Sequence, residues 1–226
     1  MTEKRPVTAQ YFPGIFDTAD IEQAKAIILT EEGPDAGTDV RWEQETPYVL
    51  DLIRSRVPIQ PDTLVLDYGC GVGRMARALI EATGCKVIGV DISPNMRRLA
   101  IDYVGSDRFF VASPDQLDML VAAGLRVNAA IAIWVLQHCF APQQDITRIG
   151  SALEADGQVF VLNMPKRAVP AVIEQGAFMW VHDEIDVAGL LRGRFRAVAD
   201  GAPDPGATPN MADAGAYWMH MIQRAA

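Results

Sequence analysis

The chain has 226 residues, half of them hydrophobic and 22% charged, which is enough for one sizeable core and ordinary for a globular protein. Its formal charge of −9 leaves no basic surplus to displace counterions from a phosphate backbone, so a nucleic-acid partner is disfavoured. No apolar run approaches the ~20 residues of a membrane span. The N-terminus carries no apolar leader, and Cys70, Cys85 and Cys139 form neither a CxxC pair nor a metal-finger spacing, so a reduced, cytoplasmic setting is expected.

Residues 1–45 contain the helical pattern TADIEQAKAIIL and a polar stretch, TEEGPDAGTD, and read as a helical cap over the following domain, 46–226. TLVLDYG (63–69) is a first strand, and RMARALIEATG is a helix with Met75, Leu79 and Ile80 on one face and Gly84 as its stop. KVIGVDIS (86–93) is a second strand; Ser93 caps the next helix, with Pro94 at its first position. RFFVAS (108–113) is a third strand, followed by a helix from Pro114. NAAIAIWVL (128–136) is apolar throughout, as a strand buried on both faces should be. A helix around DITRIGSALEA leads through an Asp156-Gly157 turn to the strand QVFVLNM (158–164). FRAVAD (195–200) and YWMHMIQR (217–224) then read as a reversed pair at one sheet edge. The expected architecture is α/β: a doubly wound, mostly parallel seven-stranded sheet with a reversed edge strand, helices on both faces and the N-terminal helical cap.

The stretch VLDYGCGVGR carries the first functional signal. Gly69, Gly71 and Gly73 alternate, whereas a dinucleotide site wants GxGxxG, and the place of its third glycine is taken by Arg74. Asp67 precedes the loop, where a carboxylate suits an ammonium and repels a pyrophosphate. Asp91, at the end of the second strand, is placed to accept the two hydroxyls of a ribose, which fits NAD and other adenosine ligands equally. Together the two acids and the glycine spacing disfavour NAD and point to S-adenosylmethionine (SAM).

VLDYGCGVGR, VIGVDIS, AAIAIWVLQH and ADGQVFVLN, in that order, resemble the motif set of the class I SAM-dependent methyltransferases, strongly over roughly 48–165 and more loosely to 224. The resemblance implies a Rossmann-like fold, SAM as cofactor and S-adenosylhomocysteine as its product. Carried over by position, it places Asp67, Gly69, Cys70, Gly71 and Gly73 around the methionine part, Asp91 on the ribose, and Ile92 and Met96 against the adenine, with Ala132 and Trp134 also lining the cofactor site. The adenine amino group falls to Ser113 or Asp115, and Asn128 stands where the family commonly has aspartate.

Methyl transfer to a hydroxyl needs a base, and His138, just beyond the fourth strand, is the best-placed titratable group; its two readings are general base and loop-fixing residue. His182, beside Asp183 and Glu184, reads as a base with its orienter or as an exposed charged turn, and His220 reads as structural. No HxxxH or HxxE spacing supports a metal. Trp134, Trp180, Phe178, Tyr11, Phe12 and Trp42 are candidates for an apolar acceptor pocket, and Arg41 and Arg167 for contacts to an anionic group or for solvated positions. The expected function is methyl transfer to oxygen or nitrogen of a small-molecule acceptor. The alternative is a non-catalytic SAM-binding or partner-regulating protein on the same fold.

Overall fold

All seven expected strands fall in one sheet. A computed structural model describes residues 9–31, 37–173 and 176–224. In chain order its elements are β1 (Ala9–Tyr11), a 3-10 turn (Pro13–Phe16), α1 (Ile21–Ile28), α2 (Thr38–Arg54), β2 (Leu64–Tyr68), α3 (Arg74–Thr83), β3 (Lys86–Val90), α4 (Pro94–Val104), β4 (Phe109–Ala112) and α5 (Pro114–Ala122). They continue as β5 (Val127–Ile133), α6 (Pro142–Ala152), β6 (Leu153–Asn163), β7 (Val169–Ile173), β8 (Phe178–Val181), α7 (Val187–Arg194), β9 (Phe195–Gly201), α8 (Pro209–Asp213) and β10 (Tyr217–Gln223).

The large sheet has the order β4-β3-β2-β5-β6-β10-β9. Its first five strands are parallel, and β10 alone runs against both neighbours, β6 and β9. The reversed strand therefore sits one place in from the edge, and β9 outside it resumes the common direction. β2 and β5 are among its most buried members, as their apolar residues, interrupted only at Asp67 and Asn128, demand. One core cluster, around Leu66, Ile146 and Phe195, lies on one face; the other, around Ile53, Leu79 and Phe160, lies on the opposite face.

Local signals act as their chemistry requires. Ser93 Oγ accepts from the Met96 amide, Gly84 ends α3 in the left-handed region, and Asn128 Oδ1 accepts from the Leu64 amide, tying β5 to β2 where an aspartate was expected. The strand expected from 158 begins at Leu153 instead. The Asp156-Gly157 turn is absorbed as an irregularity of β6, where the register with β5 slips between Val127 and Ala129.

The N-terminal segment does more than the expected helical cap. β1 pairs antiparallel with β7, and β7 with β8, giving a small second sheet absent from the expected elements. Asp17 accepts from Ser93 Oγ at 2.5 Å and from the Asn95 amide at 3.2 Å, pinning the segment to the start of α4. α1 buries Ala24 against Val72, Met96 and Leu99. α2 runs through residue 45, and the polar stretch before it lies partly outside the described residues, as do residues 1–8. Among the described residues no helix is long and apolar enough to cross a membrane.

Candidate active site

A cavity of about 900 Å³ opens between the carboxyl ends of the parallel strands, the N-terminal segment and the small sheet. That is the place where open α/β sheets bind ligands, and the volume suits a cofactor and a small molecule together. Gly69, Gly71, Asp91, Ile92, Met96, Trp134 and His138 all line it.

The glycine loop is shaped by contacts as much as by ligand space. Gly69 sits at φ +75°, and a Cβ there would lie 2.3 Å from Val135 Cγ2. Gly71 sits at φ +54°, and its Cβ would meet Ile28 of α1 at 2.7 Å. Both sit in the left-handed region that favours glycine, and at Gly69 the branched Val135 also leaves no room for a side chain. Asp91 holds this loop from the next strand: its carboxylate accepts from the Gly71 amide and the Ser93 amide, each at 2.9 Å. Burial pushes the Asp91 carboxyl up, against the pull of those two N–H groups.

Asp67 points beneath the loop rather than into the cavity. It is buried, its Oδ2 has no hydrogen-bond partner, and burial pushes its carboxyl up to about 7, with buried Arg74 opposing. Arg74 lies over the Trp42 ring and reaches Thr46 Oγ1 at 3.2 Å, toward α2 and away from the close helix–strand contact. Trp134 is the one non-glycine residue among the described residues with positive φ, +60°; its ring lines the cavity while its buried Nε1 lacks a partner. Such a backbone costs on the order of 1–2 kcal/mol, and functional sites are where it persists.

Five expected site residues besides Asp67 do not reach the cavity. Cys70 is buried with its thiol, raised by burial, turned to the Gly71 carbonyl. Gly73 starts α3 against Val104, and Ala132 is buried inside β5. Ser113 is engaged in a capping box with Gln116, and Asp115 is in the first turn of α5; their neighbour Pro114 lines the cavity in their place.

Beyond the glycine loop the walls become aromatic. Phe16, His138 and Trp180 form a triangle with ring centroids 5.4, 5.6 and 6.2 Å apart, and Tyr11 packs on Phe140 at 5.3 Å. Tyr11 comes from β1 and Trp180 from β8, so the small sheet supplies this half. Burial pushes the Tyr11 hydroxyl up to about 12, so it stays protonated.

Both ring nitrogens of His138 are engaged. Nδ1 lies 2.7 Å from the Ala168 carbonyl, which can only accept, so Nδ1 carries the proton. Nε2 lies 3.2 Å from Gln137 Nε2, and Gln137 Oε1 accepts from the Met164 amide at 2.8 Å, which fixes the amide with its NH2 toward the ring. Burial also pulls the His138 pKa down, so the neutral imidazole is the resting form.

Both arginines with a solvated alternative in the sequence are buried. Arg41 Nε pairs with Glu45 at 2.6 Å and its Nη1 donates to the Thr30 carbonyl. Arg167, 1% exposed, donates to Asp183 through Nε at 2.6 Å and Nη2 at 2.9 Å, and to the Cys139 carbonyl through Nη1. Asp183 is thereby held by Arg167 and not by His182, whose Nδ1 contacts the Arg167 carbonyl. Phe16, Phe140, Gln137, Lys166 and Asp145 line the cavity without having been singled out in the sequence. Asp145 accepts from the buried Tyr68 hydroxyl at 2.5 Å and meets Arg148 at 3.5 Å. No group of three or more His, Cys, Asp or Glu among the described residues is placed to hold a metal ion.

These features fit SAM. Asp91 faces the cavity with lone pairs left for two ribose hydroxyls, and Ile92, Met96 and Pro114 offer an apolar adenine surface. The fold is that of a class I, Rossmann-like methyltransferase. The chain belongs to the methyltransferase-domain family, whose model it matches over residues 41–195, and SAM is its cofactor.

Solved structures agree on the fold. Magnesium protoporphyrin IX methyltransferase from Synechocystis PCC 6803, with bound SAM, is 18% identical with a TM-score of 0.62, covering 92% of this chain and 93% of that one. The 1,6-didemethyltoxoflavin-N1-methyltransferase of Burkholderia thailandensis, with 1,6-didemethyltoxoflavin and S-adenosylhomocysteine bound, is 20% identical with a TM-score of 0.56, covering 99% and 98%. A chain from the complex of the Haloferax volcanii Trm112 methyltransferase activator with its methyltransferase is 16% identical with a TM-score of 0.58, covering 83% and 91%. No curated protein matches the sequence.

Proposed function

We propose that this methyltransferase acts on oxygen or nitrogen of a small molecule held in the aromatic half of its cavity. One observation carries the reading: the cavity is continuous from the Asp91 end to the Phe16–His138–Trp180 triangle, so a second molecule has a walled place beside the cofactor. When bound, SAM supplies the activated methyl group. The chain's part is placement: Asp91 fixes the adenosine end, and the glycine loop lies against the methionine part. The aromatic walls exclude water from the nucleophile.

With its Nδ1–H donated to Ala168 and its Nε2 lone pair accepting from Gln137, His138 serves best as the residue that orients the loop. The acceptor atom then arrives with its own free lone pair, as an amine, a ring nitrogen or a phenolate does. The test is a SAM-turnover assay over a panel of phenols, amines and heteroaromatics, read as S-adenosylhomocysteine formed and as the methylated product by mass. Product from one of these classes is expected. Tight SAM binding without transfer to any of them would favour a non-catalytic, partner-regulating role.

A further inference from the structure

The charges that line the cavity are unevenly spent. Its two half-buried carboxylates are already answered: Asp91 by two backbone amides, and Asp145 by Tyr68 and Arg148. Both lie toward Tyr11, whose hydroxyl their charges push up. On the other side, the route from His138 through Ala168 and Arg167 to His182 leads to the turn between β6 and β7 that carries Lys166. Arg167 in that turn is consumed by Asp183, whose charge it answers. Arg41 is committed to Glu45 and Thr30. Lys166 lines the cavity, is exposed, and makes no ion pair or hydrogen bond among the described residues.

We infer that the acceptor is a flat aromatic or heteroaromatic molecule bearing an anionic group, its ring against Phe16 and Trp180 and its anion at Lys166. This rests on the methyl-transfer reading above and narrows its acceptor. Phe16, His138 and Trp180 present tilted rings at 5.4–6.2 Å, the spacing at which aromatic groups attract one another, so a further ring is welcome there. The neutral His138 adds no charge to that wall. The exposed Lys166 ammonium, lining the cavity, carries three donors that no described residue uses, and a carboxylate there is met by a charge-assisted hydrogen bond. An anion also suits the neighbouring cofactor, whose sulfonium is positive. A cationic amine, which an aromatic cage alone would accept, is repelled by Lys166.

The experiment uses the intact protein and begins with a calorimetric titration of S-adenosylhomocysteine. Failure at that step would overturn the methyltransferase reading and this proposal with it. The loaded protein is then titrated with three compounds sharing one ring: a hydroxybenzoate, the matching hydroxybenzamide and the matching hydroxybenzylamine. The benzoate is expected to bind about 5-fold or more tighter than the other two, the scale of one well-placed ion pair. Lys166→Met should erase that preference while leaving S-adenosylhomocysteine affinity unchanged, and Lys166→Arg should keep most of it. Equal binding of the amide or amine, a preference that survives Lys166→Met, or no binding by any of the three to loaded protein would each overturn the proposal and leave the cofactor site standing.

Discussion

Asp91→Ala is the substitution that reaches furthest into the site. The side chain has two tasks: it accepts from the amides of Gly71 and Ser93, each at 2.9 Å, and it faces the cavity where a ribose would lie. Removing it leaves two N–H groups without their acceptor and takes two hydrogen bonds to a charged group from the cofactor. Such bonds are worth ~1.5–3 kcal/mol each before water competes for the freed hydroxyls. A net loss of about 2–3 kcal/mol is expected, a weakening of roughly 30- to 150-fold in the Kd for S-adenosylhomocysteine. The freed Gly71 amide should also loosen the loop, costing about 1–2 kcal/mol of stability and lowering Tm by roughly 2–8 °C in a chain of this size. Calorimetry at constant pH, with a thermal scan of the unliganded variant, reads both. Asp91→Asn keeps one acceptor oxygen and should fall between, which guards against a variant that simply fails to fold. A Kd within 3-fold of the parent, in a folded Asp91→Ala protein, would refute the assignment of this carboxylate to the cofactor.

Gly69→Ala should destabilise the protein by ~2–4 kcal/mol in urea unfolding, because φ +75° is strained for alanine and its Cβ meets Val135 at 2.3 Å. Adding Val135→Ala should relieve only part of the clash, since the Val135 Cβ would still lie 2.6 Å away, and none of the backbone cost. Asp67 has a folded pKa raised to about 7, so the folded chain binds more protons than the unfolded one between about 4 and 7, and this group's contribution to stability falls as pH rises through that range. Asp67→Asn should flatten that part of the pH–stability curve and raise stability at pH 8, read by urea unfolding across the range. His138→Ala should lower turnover through a displaced loop while the pH–rate profile keeps its acidic limb; loss of that limb would restore the general-base role. Arg167→Met leaves Asp183 without its partner and frees β8 from the His138 loop, so KM for the acceptor should rise more than the Kd for S-adenosylhomocysteine.

The sequence carried the seven strands because each is a short apolar run punctuated by Gly, Ser or Pro, with side chains whose local demands are met locally, as at Gly84 and Ser93. It carried the cofactor half of the site for the same reason: Gly69, Gly71 and Asp91 belong to contiguous motifs. The acceptor half is different. β1 and β7 are 3 and 5 residues long, lie far apart in the chain and include Pro170, so neither shows a strand pattern by itself. Phe16, Trp180 and His138 meet only once that small sheet exists. Arg167 looked solvated because its partner, Asp183, sits across a hairpin the sequence does not announce, whereas the Arg41–Glu45 pair follows from helical i, i+4 spacing. Ser113 misled for an opposite reason: its cap with Gln116 is a local signal, and the hydroxyl is spent there.

The most direct test of the central claim is a calorimetric titration of the purified protein with S-adenosylhomocysteine and, separately, with NADH. Both ligands place a ribose near an acid at the end of β3, so only the glycine loop and Asp67 tell them apart. The expected result is saturable, one-site binding of S-adenosylhomocysteine, abolished in Gly71→Val, where a branched side chain meets Ile28 and a left-handed backbone, with no heat from NADH. Saturable NADH binding, with S-adenosylhomocysteine silent, would contradict it.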